Sequence, residues 1–290
     1  MKIKAYLIFL VIIQFTYTAF PQNGLVFDLF PSGLNFIPLK ANNQEARLGV
    51  LYYTATTNLK VDIGNNVDLL ALKMNEEQIV VAAGIEFMAY AFSRSYAGQR
   101  LQISAVDGFF GGNLSFSKRL PNSSLFARLR IIHNSAHLVD GSYDTSNDVW
   151  IDGKEPIPYT KDFGEITIAH QISEHDVDFK YYGGLAYATL VRPSELKRFN
   201  YHVGIETAFP KLLGKLVDDD VNLFLAGHFF LDGAHKYLGS SQLMLGIKIG
   251  GWTKKGVVFY TSYYAGRDMF SSYYDRRISK FGIGFSIDFI

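Results

Sequence analysis

Near the C-terminus apolar and polar residues alternate without a break. Phe281, Ile283, Phe285, Ile287 and Phe289 take the odd positions, and Lys280, Gly282, Gly284, Ser286 and Asp288 the even ones. Successive side chains of a strand point to opposite faces, so this stretch makes an extended ribbon with one greasy and one polar face. Val221, Leu223, Leu225, Phe229 and Leu231 repeat the pattern, as do Leu243, Leu245, Ile247 and Ile249. On the same criterion about twelve segments read as strands: Ala46–Thr54, Asn65–Leu72, Gln78–Ser93, Arg100–Ser117, Ser124–His137, Lys161–Ile172, Val177–Leu190, Asn200–Phe209, Asp220–Leu231, Ser240–Gly250, Gly256–Ala265 and Ser279–Phe289. Many approach the roughly ten residues that a tilted strand needs to cross a bilayer.

Alternation fits two architectures. In a soluble sandwich the apolar rows face inward; in a membrane barrel they face lipid, and the polar rows, here Glu86, Arg128, Arg130, Glu165, Asp178, Lys180, Glu206, Lys248 and Lys280, face a charged interior. Three features favour the barrel. The chain ends on an aromatic-rich strand. Tyr260, Tyr263, Tyr264, Tyr273 and Tyr274 cluster at strand ends, where aromatics suit the membrane–water boundary. Connections after Ser117, Ile172 and Gly250 are short, while Val139–Thr160, Val191–Phe199 and Ala265–Arg277 lie on the other side and are long. Short periplasmic turns and longer outer loops are the barrel rule, to which Pro210–Asp219 is an exception. The fold expected is all-β: a transmembrane antiparallel β-barrel of about twelve strands, within a range of roughly ten to fourteen.

The 290 residues carry a formal charge of +1, so the basic excess of a nucleic-acid binder is missing. No cysteine is present, which excludes disulfides, thiolate metal sites and lipoprotein processing. Lys2 and Lys4 followed by the apolar run Tyr6–Ile13 and the weaker stretch Ala19–Gln22 read as an export signal over residues 1–22. An N-terminal anchor is the alternative, for which the run is short. Residues 23–45, broken by Pro31, Gly33, Pro38 and the polar run Asn42–Glu45, are expected as an irregular periplasmic segment. Residues 46–290 are expected as the barrel, in the bacterial outer membrane among its lipids, with protein partners unassigned.

Two local features stand out. Leu101, Ile103 and Ala105 share odd positions while Phe110, Leu114 and Phe116 share even ones, so a β-bulge is expected near Asp107 and Gly108. In Ser124–His137 the apolar row Leu125, Ala127, Leu129 and Ile131 continues as His133, Ser135 and His137, opposite Arg128, Arg130 and Asn134. A hydroxyl and a base thus stand two positions apart on the face that meets lipid. A serine becomes a nucleophile when a base takes its proton and a third group orients that base. Asn147, fourteen positions after His133, is the candidate orienter; Asp144 and Asp148 are alternatives, or candidate ligands of a hard cation with loop carbonyls.

His133, Asn134 and Ser135 resemble the His-x-Ser core of outer-membrane phospholipase A and of the outer-membrane lipid A deacylase. Both families are barrels with a lipid-facing site, in which an orienting Asn or Glu follows the histidine by fourteen positions. Where those enzymes carry Asn after the serine, this chain has Ala136. The resemblance implies acyl hydrolysis with Ser135 as nucleophile, His133 as base and Asn147 as orienter. A second resemblance covers more of the chain: Phe36, Pro38, Leu39, Ala41, Asn42, Glu45 and Arg47, with Arg130–His137, are similar to an exported bacterial barrel family described only as a domain of unknown function. It implies the class and no activity.

Two readings follow. One is an outer-membrane barrel with a structural, binding or narrow-channel role, needing no cofactor. The other is an acyl hydrolase of phospholipid or lipid A, with calcium as a candidate cofactor.

Overall fold

The structure, a computed structural model, describes residues 24–74, 78–96, 100–137, 143–150, 153, 155–210 and 212–289. The expected export signal lies outside them. The strands in chain order are β1 (Val26–Leu29), β2 (Leu48–Tyr53), β3 (Asn58–Met74), β4 (Ile79–Tyr96), β5 (Arg100–Leu120), β6 (Ser123–His137), β7 (Tyr143–Asp144), β8 (Val149–Trp150), β9 (Thr160–Glu174), β10 (Val177–Arg192), β11 (Phe199–Phe209), β12 (Lys215–Leu216), β13 (Asp219–Ala234), β14 (Lys236–Ile249), β15 (Gly256–Arg267) and β16 (Arg277–Asp288). Twelve of them close into one antiparallel barrel, running β2, β3, β4, β5, β6, β9, β10, β11, β13, β14, β15, β16 and back to β2. The four short strands are accessories. β1 adds to the lower end of β3, β12 lengthens the turn before β13, and β7 pairs β8 within the loop after β6.

Sidedness follows parity. On β6, Ile131 is 70% exposed and Leu129 46%, whereas Arg128 and Arg130 are 1% exposed. The rows Ile166 and Ile168, Val203 and Ile205, Leu243 and Leu245, and Phe281, Ile283 and Phe285 are likewise exposed outward. Water would not tolerate so continuous a greasy belt on a monomer, whereas a bilayer solvates it. Closure pairs the strand edges with one another, which hydrocarbon requires.

Aromatics divide differently from the expectation. Of the five tyrosines placed at the membrane boundary, only Tyr263 faces out; Tyr260, Tyr264, Tyr273 and Tyr274 are buried inside. Even-numbered positions of β15 point inward, and the loop between β15 and β16 folds into the barrel, so proximity to a strand end was a poorer guide than parity. Outward aromatics include Tyr187 against Phe199, with ring centroids 4.9 Å apart, and Tyr201 against Tyr237 at 6.2 Å. The bulge in β5 is also displaced. Phe92 pairs Ala105 and Ser93 pairs Ile103, so Ser104 is the extra residue, upstream of Asp107 and Gly108. Its buried hydroxyl accepts from Arg94 Nε at 2.7 Å, giving the extra residue an inward partner.

The interior is filled with chain. Residues 32–47 run through the lumen. Phe36 and Leu39 are buried with Ala169 and Tyr182. Asn35 N–H donates to Asp68 at 2.7 Å, and Lys40 Nζ pairs Asp288 at 2.6 Å. Glu45 accepts from both terminal nitrogens of Arg128, and the backbone carbonyl of Gln44 accepts from Arg130 at 3.0 Å. Arg130 in turn reaches Glu165 at 2.7 Å and Glu86 at 3.4 Å. From the outer side residues 268–276 descend, with Phe270 against Tyr90 and Phe92. A cavity of about 80 Å³ remains between the two plugs, lined in part by Asn42, Gln44, Asp232, Gln242, Arg267 and Ser271.

Candidate lipid-facing site

β6 carries His133, Ser135 and His137 outward at its outer end because the strand keeps its register with β5 and β9 without a shift. The three side chains therefore share the outward face with Leu129 and Ile131. Ser135 Oγ lies 3.0 Å from His137 Nε2, so the imidazole resting on the hydroxyl is His137 rather than His133. His133 has another partner: its Nδ1 is 2.5 Å from Asp162 Oδ1. Asp162 sits directly opposite on β9, and both side chains are partly exposed, at 36% and 42%. The Phe110 ring flanks His133 from β5, with centroids 5.0 Å apart.

Beside Ser135 the strand partners are Gly108 on β5 and Thr160 on β9. A Cβ at Gly108 would meet only the Ser135 carbonyl oxygen, at 3.9 Å. The serine is thus open to approach from the β5 side. The Ala136 N–H donates to the Tyr159 carbonyl at 3.1 Å, which ties the end of β6 to the chain entering β9.

Asn147 is not brought to this cluster. Its side-chain amide donates to Asp144 Oδ2 at 2.8 Å, and its backbone N–H and that of Ser146 donate to Oδ1 of the same carboxylate. These bonds hold the Asp144 carboxyl below the usual carboxylate range, with the Asn147 side chain as the largest cause. Asp148 accepts from the Tyr143 hydroxyl. All five residues belong to the β7–β8 hairpin, so both carboxylates are already engaged in stabilising it. Among the described residues no three His, Asp or Glu side chains gather as a metal site.

Asp162 was not singled out in the sequence, although a signal was present. Ile166 and Ile168 mark the even positions of β9 as outward, which puts Asp162 on the greasy face. An ionisable group there is costly and marks a site by default. Spacing along the chain hid it, since 29 positions separate it from His133.

No family model and no curated protein matches the chain. Among solved structures it is similar to an active-site mutant of outer membrane phospholipase A from Escherichia coli, with TM-score 0.50 and 13% identity over 88% of this chain and 93% of that one. It also matches the β domain of the Bordetella autotransporter BrkA, with TM-score 0.42, 13% identity and coverage of 83% and 96%. OmpT of Vibrio cholerae follows with TM-score 0.40, 10% identity and coverage of 91% and 99%. At such identity the first likeness shows the fold alone, and the other two carry no argument. The closed barrel and its outward apolar belt define the class: an integral β-barrel of the bacterial outer membrane.

Proposed function

We propose that this barrel is an acyl-ester hydrolase acting on phospholipid or lipid A from its lipid-facing side. One observation carries the reading. The Ser135 hydroxyl lies within hydrogen-bond reach of the His137 imidazole on the outward face of the barrel, with His133 and Asp162 adjoining. Ser135 Oγ attacks the ester carbonyl carbon from the open Gly108 side. His133 takes the hydroxyl proton and later gives it to the departing alcohol; water then releases the fatty acid from the acyl-enzyme by the reverse route. His137 holds the hydroxyl before attack and is the neighbouring donor for negative charge developing on the carbonyl oxygen. Asn147 takes no part.

The narrow-channel reading is disfavoured by the lumen. Arg128 and Glu45 are both fully buried, and chain enters the interior from both ends. The same filling supports the other non-enzymatic reading, a structural envelope barrel in which the outward cluster binds headgroups.

The deciding experiment measures fatty-acid release from phospholipid and from lipid A by the detergent-purified protein, with calcium and with a chelator. Release by wild type, lost in Ser135→Ala, is the expected result. His133→Ala is expected to cost more than His137→Ala, and the opposite order makes His137 the base. No release from either lipid under either condition returns the protein to the structural reading.

A further inference from the structure

We infer that Asp162 is the positioning residue of this centre, holding the His133 ring so that its other nitrogen is the proton acceptor; the inference rests on the hydrolase reading above. The contact is 2.5 Å between Asp162 Oδ1 and His133 Nδ1. It joins two residues paired across the β6–β9 ladder, where backbone hydrogen bonds on both sides fix the distance between Cα atoms. The loop that carries Asn147 is not needed for it. On its far side His133 meets the Phe110 ring, so the imidazole is held between a carboxylate and an aromatic edge.

The setting gives the pair its chemical meaning. Asp162 occupies an outward position of β9, in line with Ile166 and Ile168. A carboxylate there loses hydration, which makes a hydrogen-bond partner nearly obligatory. A carboxylate only accepts, so Nδ1 must carry the proton and Nε2 is left with its lone pair. That is the tautomer a general base requires. When Ser135 Oγ leaves its contact with His137 and bonds to the acyl carbon, its proton moves to Nε2 of His133, and the resulting imidazolium faces the Asp162 charge. The proton then passes from Nε2 to the leaving alkoxide as the ester C–O bond breaks. Asp162 neither takes nor gives a proton in these steps, so protons and charge balance without a further reactant.

The neighbouring strand is shaped around the same residue. The β9–β10 register slips between Ala188 and Leu190, making Thr189 an extra residue beside Asp162. The Thr189 hydroxyl donates to the Asp162 carbonyl at 3.3 Å. Bulges are over-represented beside active sites, where they re-aim side chains.

The test uses the full barrel in detergent, with its fold checked by heat-modifiable gel migration, and mixed micelles of a diacyl phosphatidylethanolamine or of purified lipid A. Asp162→Ala is expected to lower kcat on the order of a hundredfold or more with KM unchanged. Asp162→Glu restores part of the loss. A second readout needs no turnover: in protein labelled at histidine, the hydrogen-bonded Nδ1–H of His133, assigned with His133→Gln, gives a downfield proton resonance. It is expected in wild type and in Ser135→Ala and absent in Asp162→Ala. If Ser135→Ala is inactive but Asp162→Ala keeps wild-type kcat, the positioning role is overturned and the hydrolase stands. If the resonance survives Asp162→Ala, the contact itself is overturned. If wild type releases no fatty acid from either lipid, both readings fall together.

Discussion

Two clusters of charged and polar groups sit on opposite faces of the same strand, and they answer to different rules. Inward from β6, Arg128 and Arg130 meet Glu45, Glu86 and Glu165, all nearly sealed from solvent. Outward, His133 meets Asp162 and Ser135 meets His137, and these side chains stay partly exposed. The inner cluster ties a stretch of chain to the wall, with two guanidiniums set among three carboxylates. The outer cluster ties nothing together that the β-ladder has not already paired. Polar groups that hold architecture are expected to matter for stability and little for chemistry; the outer set should show the reverse.

The sharpest break of that contrast is at Ser135. Ser135→Ala should reduce fatty-acid release about a thousandfold or more, the scale on which loss of a nucleophile acts. Its unfolding midpoint in urea should stay with wild type, because the side chain supports no packing. A variant equally inactive but markedly less stable would put Ser135 among the architectural groups.

Next in size is the inner pair. Removing one partner of a buried ion pair leaves an uncompensated charge, so Glu45→Ala should destabilise the barrel by about 3–5 kcal/mol. Replacing both, with Glu45→Leu and Arg128→Met, should recover most of that loss, since the desolvation penalty of both ions goes with them. Urea titrations of the three variants and wild type measure it. If the double variant is no better than Glu45→Ala, the segment is held by contacts other than this pair.

The same two clusters explain what could be read from the sequence. Parity in a strand is set by covalent geometry, so the inward row of Glu86, Arg128, Arg130, Glu165 and Lys248 and the outward rows of Ile and Phe were legible from alternation alone. The pairing of Arg130 with Glu165 was equally accessible, since neighbouring strands carry them. Glu45 as the partner of Arg128 was not, because it arrives on an irregular segment whose path alternation does not describe. At the outer site His133 and Ser135 were placed by parity. The contact between His133 and Asp162 was not legible, because pairing across strands decides it and spacing along the chain does not. Asn147 is close in sequence and engaged elsewhere; Asp162 is distant in sequence and directly opposite.

A smaller effect concerns the outer loops, where a third polar contact belongs to neither cluster. The Tyr274 hydroxyl donates to Glu195 Oε1 at 2.6 Å, joining the loop after β10 to the one before β16. That bond is the main reason the Glu195 carboxyl is held below its ordinary range. A carboxylate with a depressed value in the folded state stabilises above its unfolded value, and that contribution fades as pH falls through the folded one. Hydrogen exchange at the backbone of residues 271–274, corrected for intrinsic rates, should therefore accelerate on acidification, and Glu195→Gln should flatten the dependence. A dependence unchanged by Glu195→Gln would assign the acid response to another group.

The smallest expected effect is the most informative about how the outer cluster works. Asn147→Ala removes the side-chain bond to Asp144 in an exposed hairpin, where substitutions usually stay within about 0.5 kcal/mol, or roughly twofold. Fatty-acid release should stay inside that margin. The resemblance to lipid-facing hydrolases assigns Asn147 the orienting role and so requires a large loss. The geometry assigns the residue to the turn and requires almost none. A loss comparable to that of Asp162→Ala would mean that the loop swings over the strand when lipid is bound, bringing Asn147 to His133. Strand pairing alone would then be insufficient to complete the site. Activity inside the margin means that the outer cluster, like the inner one, is fixed by register across the wall of the barrel, and that chemistry on the lipid side does not need the loop.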